Sequence, residues 1–274
     1  MYVGNRNRIN VSSSQFADFI ENGNLYVDKT SFIEHVLQDS SNVLLFTRPR
    51  RMGKSLNMNT LATFLDCKQN TAHLFSGLHI EGTPEFEQAN KYPVIYLSFR
   101  ELDIEDYKWC FKQNLEKTAH KYLKEKQISP TMKRYFNDDE NHAIRALMDL
   151  THDLYSIYGA KPYIIIDEYD KPLMDNIYSP KLPEFKKWIT AIFGSALKDN
   201  PALGKAVLTG VARIAKESMF SNLNNLEVYD VFRRSAYDDD FSLTERELTE
   251  LVPAEKLPEL REWYNNVRVG DSFL

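Results

Sequence analysis

The stretch that decides the fold is Val43-Leu44-Leu45-Phe46-Thr47-Arg48-Pro49-Arg50-Arg51-Met52-Gly53-Lys54-Ser55-Leu56. It opens on a continuous apolar run without the alternation of a one-faced strand, the mark of a strand covered on both faces. A basic turn follows, ends in Gly-Lys-Ser and leads into the helical pattern Leu56–Leu65. Strand, loop, Gly-Lys-Ser and helix, in that order, is the context of a phosphate-binding loop. The helix N-terminus supplies unpaired N–H groups and a partial positive charge. Gly53 lets the backbone approach an anion with no Cβ in the way. Lys54 reaches phosphate oxygens as a point charge, and Ser55 offers a hydroxyl to Mg²⁺. The full motif has Gly where Arg48 stands, so for the triplet alone a basic turn capping a helix is an equal alternative.

Three more runs have the same character: Val94–Phe99, Tyr163–Asp167 and Ala206–Gly210, with Val228–Phe232 a weaker fifth. Between them lie the helical patterns Tyr107–Lys126, Ala143–Tyr158 and Glu184–Leu197. Strand alternating with helix predicts an α/β fold, a central parallel sheet flanked by helices.

The run at Tyr163–Ile166 ends in Asp167-Glu168. A strand closing on two carboxylates suits the metal side of a nucleotide site. Asp167 would hold the metal and Glu168 would orient water for in-line attack on a γ-phosphate. Two solvated acids at a strand end are the alternative, which the apolar run and the chain order, Gly-Lys-Ser first and acids later, disfavour. The strand Ala206–Gly210 is followed by Val211-Ala212-Arg213. Arg213 is a candidate charge sensor for the departing phosphoryl group, or a surface arginine at a turn. The Arg48, Arg50 and Arg51 cluster could clamp phosphates or meet an acidic partner.

The 274 residues carry 43% hydrophobic content and a net charge of −5, which argues against a nucleic-acid coat. Two cysteines give no disulfide framework, and no stretch approaches the roughly 20 apolar residues of a membrane span. The expectation is a cytoplasmic protein without a zinc site. An acidic break at Asp238-Asp239-Asp240 divides residues 1–237, the nucleotide-binding domain, from 238–274, a small helical appendage. That appendage opens at a capping box, Thr244-Glu245-Arg246-Glu247, and continues through a helical stretch at Leu257–Val267. It ends at Leu274 without a stop signal, so the expectation is either a truncated appendage or one whose natural partner segment is missing.

Four ordered segments, Leu25–Thr30, Arg48–Leu56, Ile166–Pro172 and Leu208–Leu226, resemble the AAA-ATPase-like family of bacterial and archaeal P-loop proteins. The resemblance spans roughly Gln15 to Leu251. In that family the loop reads Arg-Pro-Arg-Arg-aromatic-Gly-Lys-Ser, so the missing first Gly is a family feature, and Met52 replaces the aromatic. The resemblance implies a P-loop NTPase fold with the sensor strand between the loop strand and the acidic strand. It implies ATP and Mg²⁺ as ligands. Arg51, Met52, Gly53, Lys54, Ser55 and Leu56 would hold the nucleotide, Ser55 and Asp167 the metal, with Glu168 and Arg213 catalytic. Asp28 and Lys29 would wall the site, or cap the helix entering Phe32–Leu37. Family members often continue into a nuclease-like domain, and no nuclease activity is expected from these 274 residues. The segment Trp263–Gly270 resembles a decayed form of the motif that precedes it. The expected activity is Mg²⁺-dependent ATP hydrolysis. The alternatives are a non-hydrolysing nucleotide switch, passing its signal to a protein partner or missing C-terminal domain, and a nucleic-acid-processing protein without its nuclease.

Overall fold

A computed structural model describes residues 2–10, 13–137, 142–211, 220, 223–258, 268–269 and 272–273. In chain order its elements are β1 (Tyr2–Val3), α1 (Phe16–Glu21), β2 (Tyr26–Val27), α2 (Ser31–Gln38), β3 (Val43–Thr47) and α3 (Lys54–Leu65). There follow β4 (Val94–Ser98), α4 (Tyr107–Tyr122), α5 (Pro130–Phe136), α6 (Ala143–Tyr158), β5 (Tyr163–Asp167), α7 (Lys171–Asp175) and α8 (Leu182–Leu197). The last are β6 (Lys205–Gly210), β7 (Leu226–Tyr229), α9 (Glu245–Leu251), β8 (Arg268–Val269) and β9 (Ser272–Phe273).

Five strands form one parallel sheet in the order β4-β5-β6-β3-β7. The sensor strand β6 therefore lies between the loop strand β3 and the acidic strand β5, as the resemblance implies. The apolar runs become strands because both faces are covered. Alternate residues point to opposite faces. Leu44, Phe46, Ile165 and Val207 pack with Phe32 and Val36 of α2 and with Met58, Leu61 and Phe64 of α3. Val43, Leu45, Ile164, Ile166 and Leu208 pack with Phe111, Leu150, Ile189 and Phe193 of α4, α6 and α8. The architecture is α/β, a parallel sheet between two layers of helices.

The fifth strand differs from the expected Val228–Phe232. It pairs with β3 from Leu226 to Tyr229, and Phe232 lies beyond it in a turn. Only one neighbour fixes this edge strand, and the apolar pattern alone misplaced its bounds. The expected helix over Tyr107–Lys126 ends at Tyr122, with a separate 3₁₀ turn at Glu125–Gln127. The capping box forms: Glu247 N donates to Thr244 Oγ1 at 3.3 Å and Thr244 N to Glu247 Oε2 at 2.7 Å. Most of Leu257–Val267 and of Trp263–Gly270 lies outside the described residues. Among the described residues no helix is long and apolar enough to cross a membrane.

Candidate functional site

The loop between β3 and α3 holds Arg51 at φ +69° and Gly53 at φ +74°. A Cβ on Gly53 would meet nothing within 4 Å, so the demand for glycine there is conformational and not steric. This winding leaves donors free. From Arg51 to Leu56, among the described residues, no backbone N–H makes a hydrogen bond of normal geometry. The first intrahelical bond is Asn57 N to Gly53 O at 2.9 Å. A run of unmet N–H groups in a left-handed loop at a helix N-terminus is a cradle for an anion.

Lys54 is buried, and its ammonium bends back over the loop to donate to Arg48 O at 3.0 Å and Pro49 O at 2.8 Å. Burial pulls its pKa below the ordinary lysine value, and the charges of Asp167, Asp170 and Glu168 oppose that pull. The loop lysine thus feels the charge of acids at and just after the end of β5, more than a hundred residues away in sequence. Ser55 Oγ makes no hydrogen bond to another described residue.

The acidic side is built by β5 and β6. Thr209 lies opposite Phe46 in register and donates its hydroxyl to Asp167 Oδ1 at 2.6 Å, both side chains buried. Phe99 N donates to Asp167 O at 2.9 Å and Tyr169 N to Thr209 O at 3.0 Å, which fixes the strand ends. Glu168 follows at φ +55°, a left-handed conformation that turns its side chain off the strand. Its carboxyl is half-buried. Burial and the adjacent Asp167 push its pKa up, against the charges of Arg100, Lys171 and Lys54.

A family model described as predicted AAA-ATPase matches residues 10–220. The chain belongs to the AAA-ATPase-like family. A curated relative from Azotobacter chroococcum mcd 1, an "uncharacterized protein in vnfD 5'region", is 31% identical over 272 residues, covering 95% of this chain and 48% of the relative. The chain thus spans about half the length of that relative.

Other residues of this AAA-ATPase-like chain depart from the sequence expectations. Arg48 does not reach into the loop. It is fully buried, and its guanidinium donates through Nη1 to Thr47 O at 3.2 Å and Tyr229 O at 2.7 Å, with Cζ 5.1 Å over the Phe241 ring. Arg50 and Arg51 are exposed. Asp170 is buried and accepts Val211 N at 2.8 Å. Arg213 lies outside the described residues. Lys29 is held by the segment 237–247, donating to Glu247 Oε1 and Oε2 at 2.8 and 2.7 Å and to Asp239 O at 2.7 Å. Asp28 caps locally, accepting Thr30 N at 2.9 Å and His79 N at 2.7 Å.

Sequence reasoning missed the segment 237–247, which straps the loop helix. Ser242 N donates to Met52 O at 3.2 Å, and Asn57 Nδ2 to Asp240 O at 2.8 Å. The Asp240 carboxylate is buried against Ser31 Oγ at 2.6 Å and His35 Nδ1 at 2.8 Å. The only sequence signal was the capping box, whose Glu247 also meets Lys29.

Among the described residues no group of three or more His, Cys, Asp or Glu could hold a metal by itself. The candidate ligands are hard oxygens, the Ser55 hydroxyl in the first turn of α3 and the Asp167 carboxylate at the end of β5, of which Oδ2 has no donor among the described residues. That set suits Mg²⁺, which keeps waters and phosphate oxygens and needs one or two protein ligands.

Proposed function

We propose that this chain binds ATP with Mg²⁺ at the loop Arg51–Leu56 and hydrolyses the γ-phosphate. The observation that carries the reading is the buried Lys54 ammonium, held over an unpaired N–H cradle and under the charge of Asp167, Glu168 and Asp170. Lys54 exchanges two loop carbonyls for β and γ oxygens, and the N–H groups of the loop surround the β-phosphate. Ser55 and Asp167 would hold Mg²⁺, which when bound would supply charge neutralisation at the phosphates. Thr209 keeps Asp167 in one orientation. Glu168, with its raised pKa, accepts the proton of a water that attacks the γ-phosphorus in line as the bond to the β,γ-bridging oxygen breaks. Arg213, by its place just after β6, is assigned to the charge that develops on the leaving group.

Two variants test this. Lys54→Ala removes ATP binding. Glu168→Gln keeps ATP binding and stops release of inorganic phosphate. Glu168→Gln turnover at the parental rate rules out the role given to Glu168, and a parent that binds ATP without turnover is a nucleotide switch instead.

A further inference from the structure

The sheet order gives a bound nucleotide a direction. The acids assigned to the metal and to the attacking water stand at the end of β5, to one side of β3 beyond β6, so the terminal phosphate points that way. A nucleotide whose β-phosphate sits in the loop must send its nucleoside the other way, over the end of β7. There the chain turns through Asp230, Val231, Phe232, Arg233 and Arg234.

This turn is built beside the loop. Tyr229 is opposite Phe46 in the parallel pairing of β7 with β3, so the turn starts level with the loop's first residues. Arg48, the first loop residue, ties the two together through Nη1 to Tyr229 O at 2.7 Å. Asp230 Oδ1 accepts the N–H of Phe232 at 2.9 Å and of Arg233 at 3.2 Å, an Asx turn that fixes the backbone beneath the ring. Phe232 is 87% exposed, and Arg233 and Arg234 beside it are also exposed. A single exposed apolar side chain is ordinary on a surface. This one stands on an ordered turn, next to cationic side chains, where the nucleoside must pass.

Resting on the proposed ATP site, we infer that Phe232 is the platform on which the nucleotide's base stacks. A flat aromatic ring takes any base by its π-face and holds the larger purines best. The recognised ligand is then a purine nucleoside triphosphate, read by stacking.

The experiment compares ATP with inorganic tripolyphosphate, each with Mg²⁺, by titration calorimetry on the parent, Phe232→Ala, Phe232→Trp and Lys54→Ala. Tripolyphosphate has the phosphates without the base. Phe232→Ala should weaken ATP roughly 10-fold or more and leave tripolyphosphate unchanged. Phe232→Trp should keep ATP affinity and add a tryptophan fluorescence change on ATP that tripolyphosphate does not give. Lys54→Ala should lose both ligands. Parental ATP affinity in Phe232→Ala, or equal weakening of both ligands, overturns the stacking role while the loop site stands. A parent that binds neither ligand removes the loop site and this role together.

Discussion

Replacing Lys29 by Met tests whether the segment 237–247 is locked to the nucleotide-binding layer as described. The two side chains have similar length, so the change removes charge and leaves most of the packing. Lys29 is 8% exposed and Glu247 6%, and the ammonium meets three oxygens between 2.7 and 2.8 Å. Without it the Glu247 carboxylate keeps the N–H of Thr244 at 2.7 Å, and Asp239 O loses its donor. Removing one member of a buried ion pair costs about 3–5 kcal/mol, because the other charge stays buried without its partner. At about 2–4 °C per kcal/mol for a chain of this size, the Tm of Lys29→Met falls by roughly 6–20 °C. Glu247→Gln also destabilises. The double variant Lys29→Met/Glu247→Gln costs less than the sum, with a coupling on the order of 1–3 kcal/mol. Urea unfolding followed by circular dichroism measures all three. A Lys29→Met cost below about 1 kcal/mol, or an additive double variant, refutes the buried pair.

His35 supplies a pH dependence. The hydrogen bond to Asp240 raises its pKa above the ordinary value, burial works against this, and Glu34 adds to the rise. A raised folded-state pKa means that the stabilisation is complete below about 6.5 and fades as pH climbs through the folded-state value. The unfolding midpoint of the parent should therefore drop between mildly acidic and mildly alkaline pH, and His35→Asn should flatten that drop; equal slopes would count against the pair. Gly210→Ala should cost about 1–3 kcal/mol in chemical denaturation, since its Cβ would lie 2.5 Å from Tyr169 Cε1 and 2.8 Å from Asp170 Oδ1. Gly82→Ala, in open space, is the control expected to change little. Thr209→Val removes a buried donor to a carboxylate, so it should cost about 1.5–3 kcal/mol of stability and slow turnover more than it weakens ATP binding.

What the sequence made legible was local. Val43–Thr47, Tyr163–Asp167 and Ala143–Tyr158 match β3, β5 and α6 to the residue, because burial on both faces or one amphipathic period writes itself into consecutive positions. The same holds for Gly53, whose left-handed φ only glycine adopts without strain. The long-range pairings left no such trace. Lys29 and Glu247 are 218 positions apart, and nothing around either announces the other. Arg48 reads as one of a basic cluster that clamps phosphates or meets an acidic partner, yet it is buried, because the adjacent β7 offers the Tyr229 carbonyl and Phe241 closes over the guanidinium. The acidic triplet likewise reads as a solvated break, while Asp240 is buried on Ser31 and His35. Edge strand β7, held by one neighbour, was legible in existence and not in its bounds.

The most direct test of the central claim is ATP affinity with and without Mg²⁺ for the parent, Lys54→Ala and Asp167→Asn. If the lysine loop and the strand acid meet on one nucleotide and its metal, Mg²⁺ tightens ATP binding in the parent and loses that effect in Asp167→Asn, while Lys54→Ala binds under neither condition. An undiminished Mg²⁺ effect in Asp167→Asn, or parental affinity in Lys54→Ala, contradicts the account.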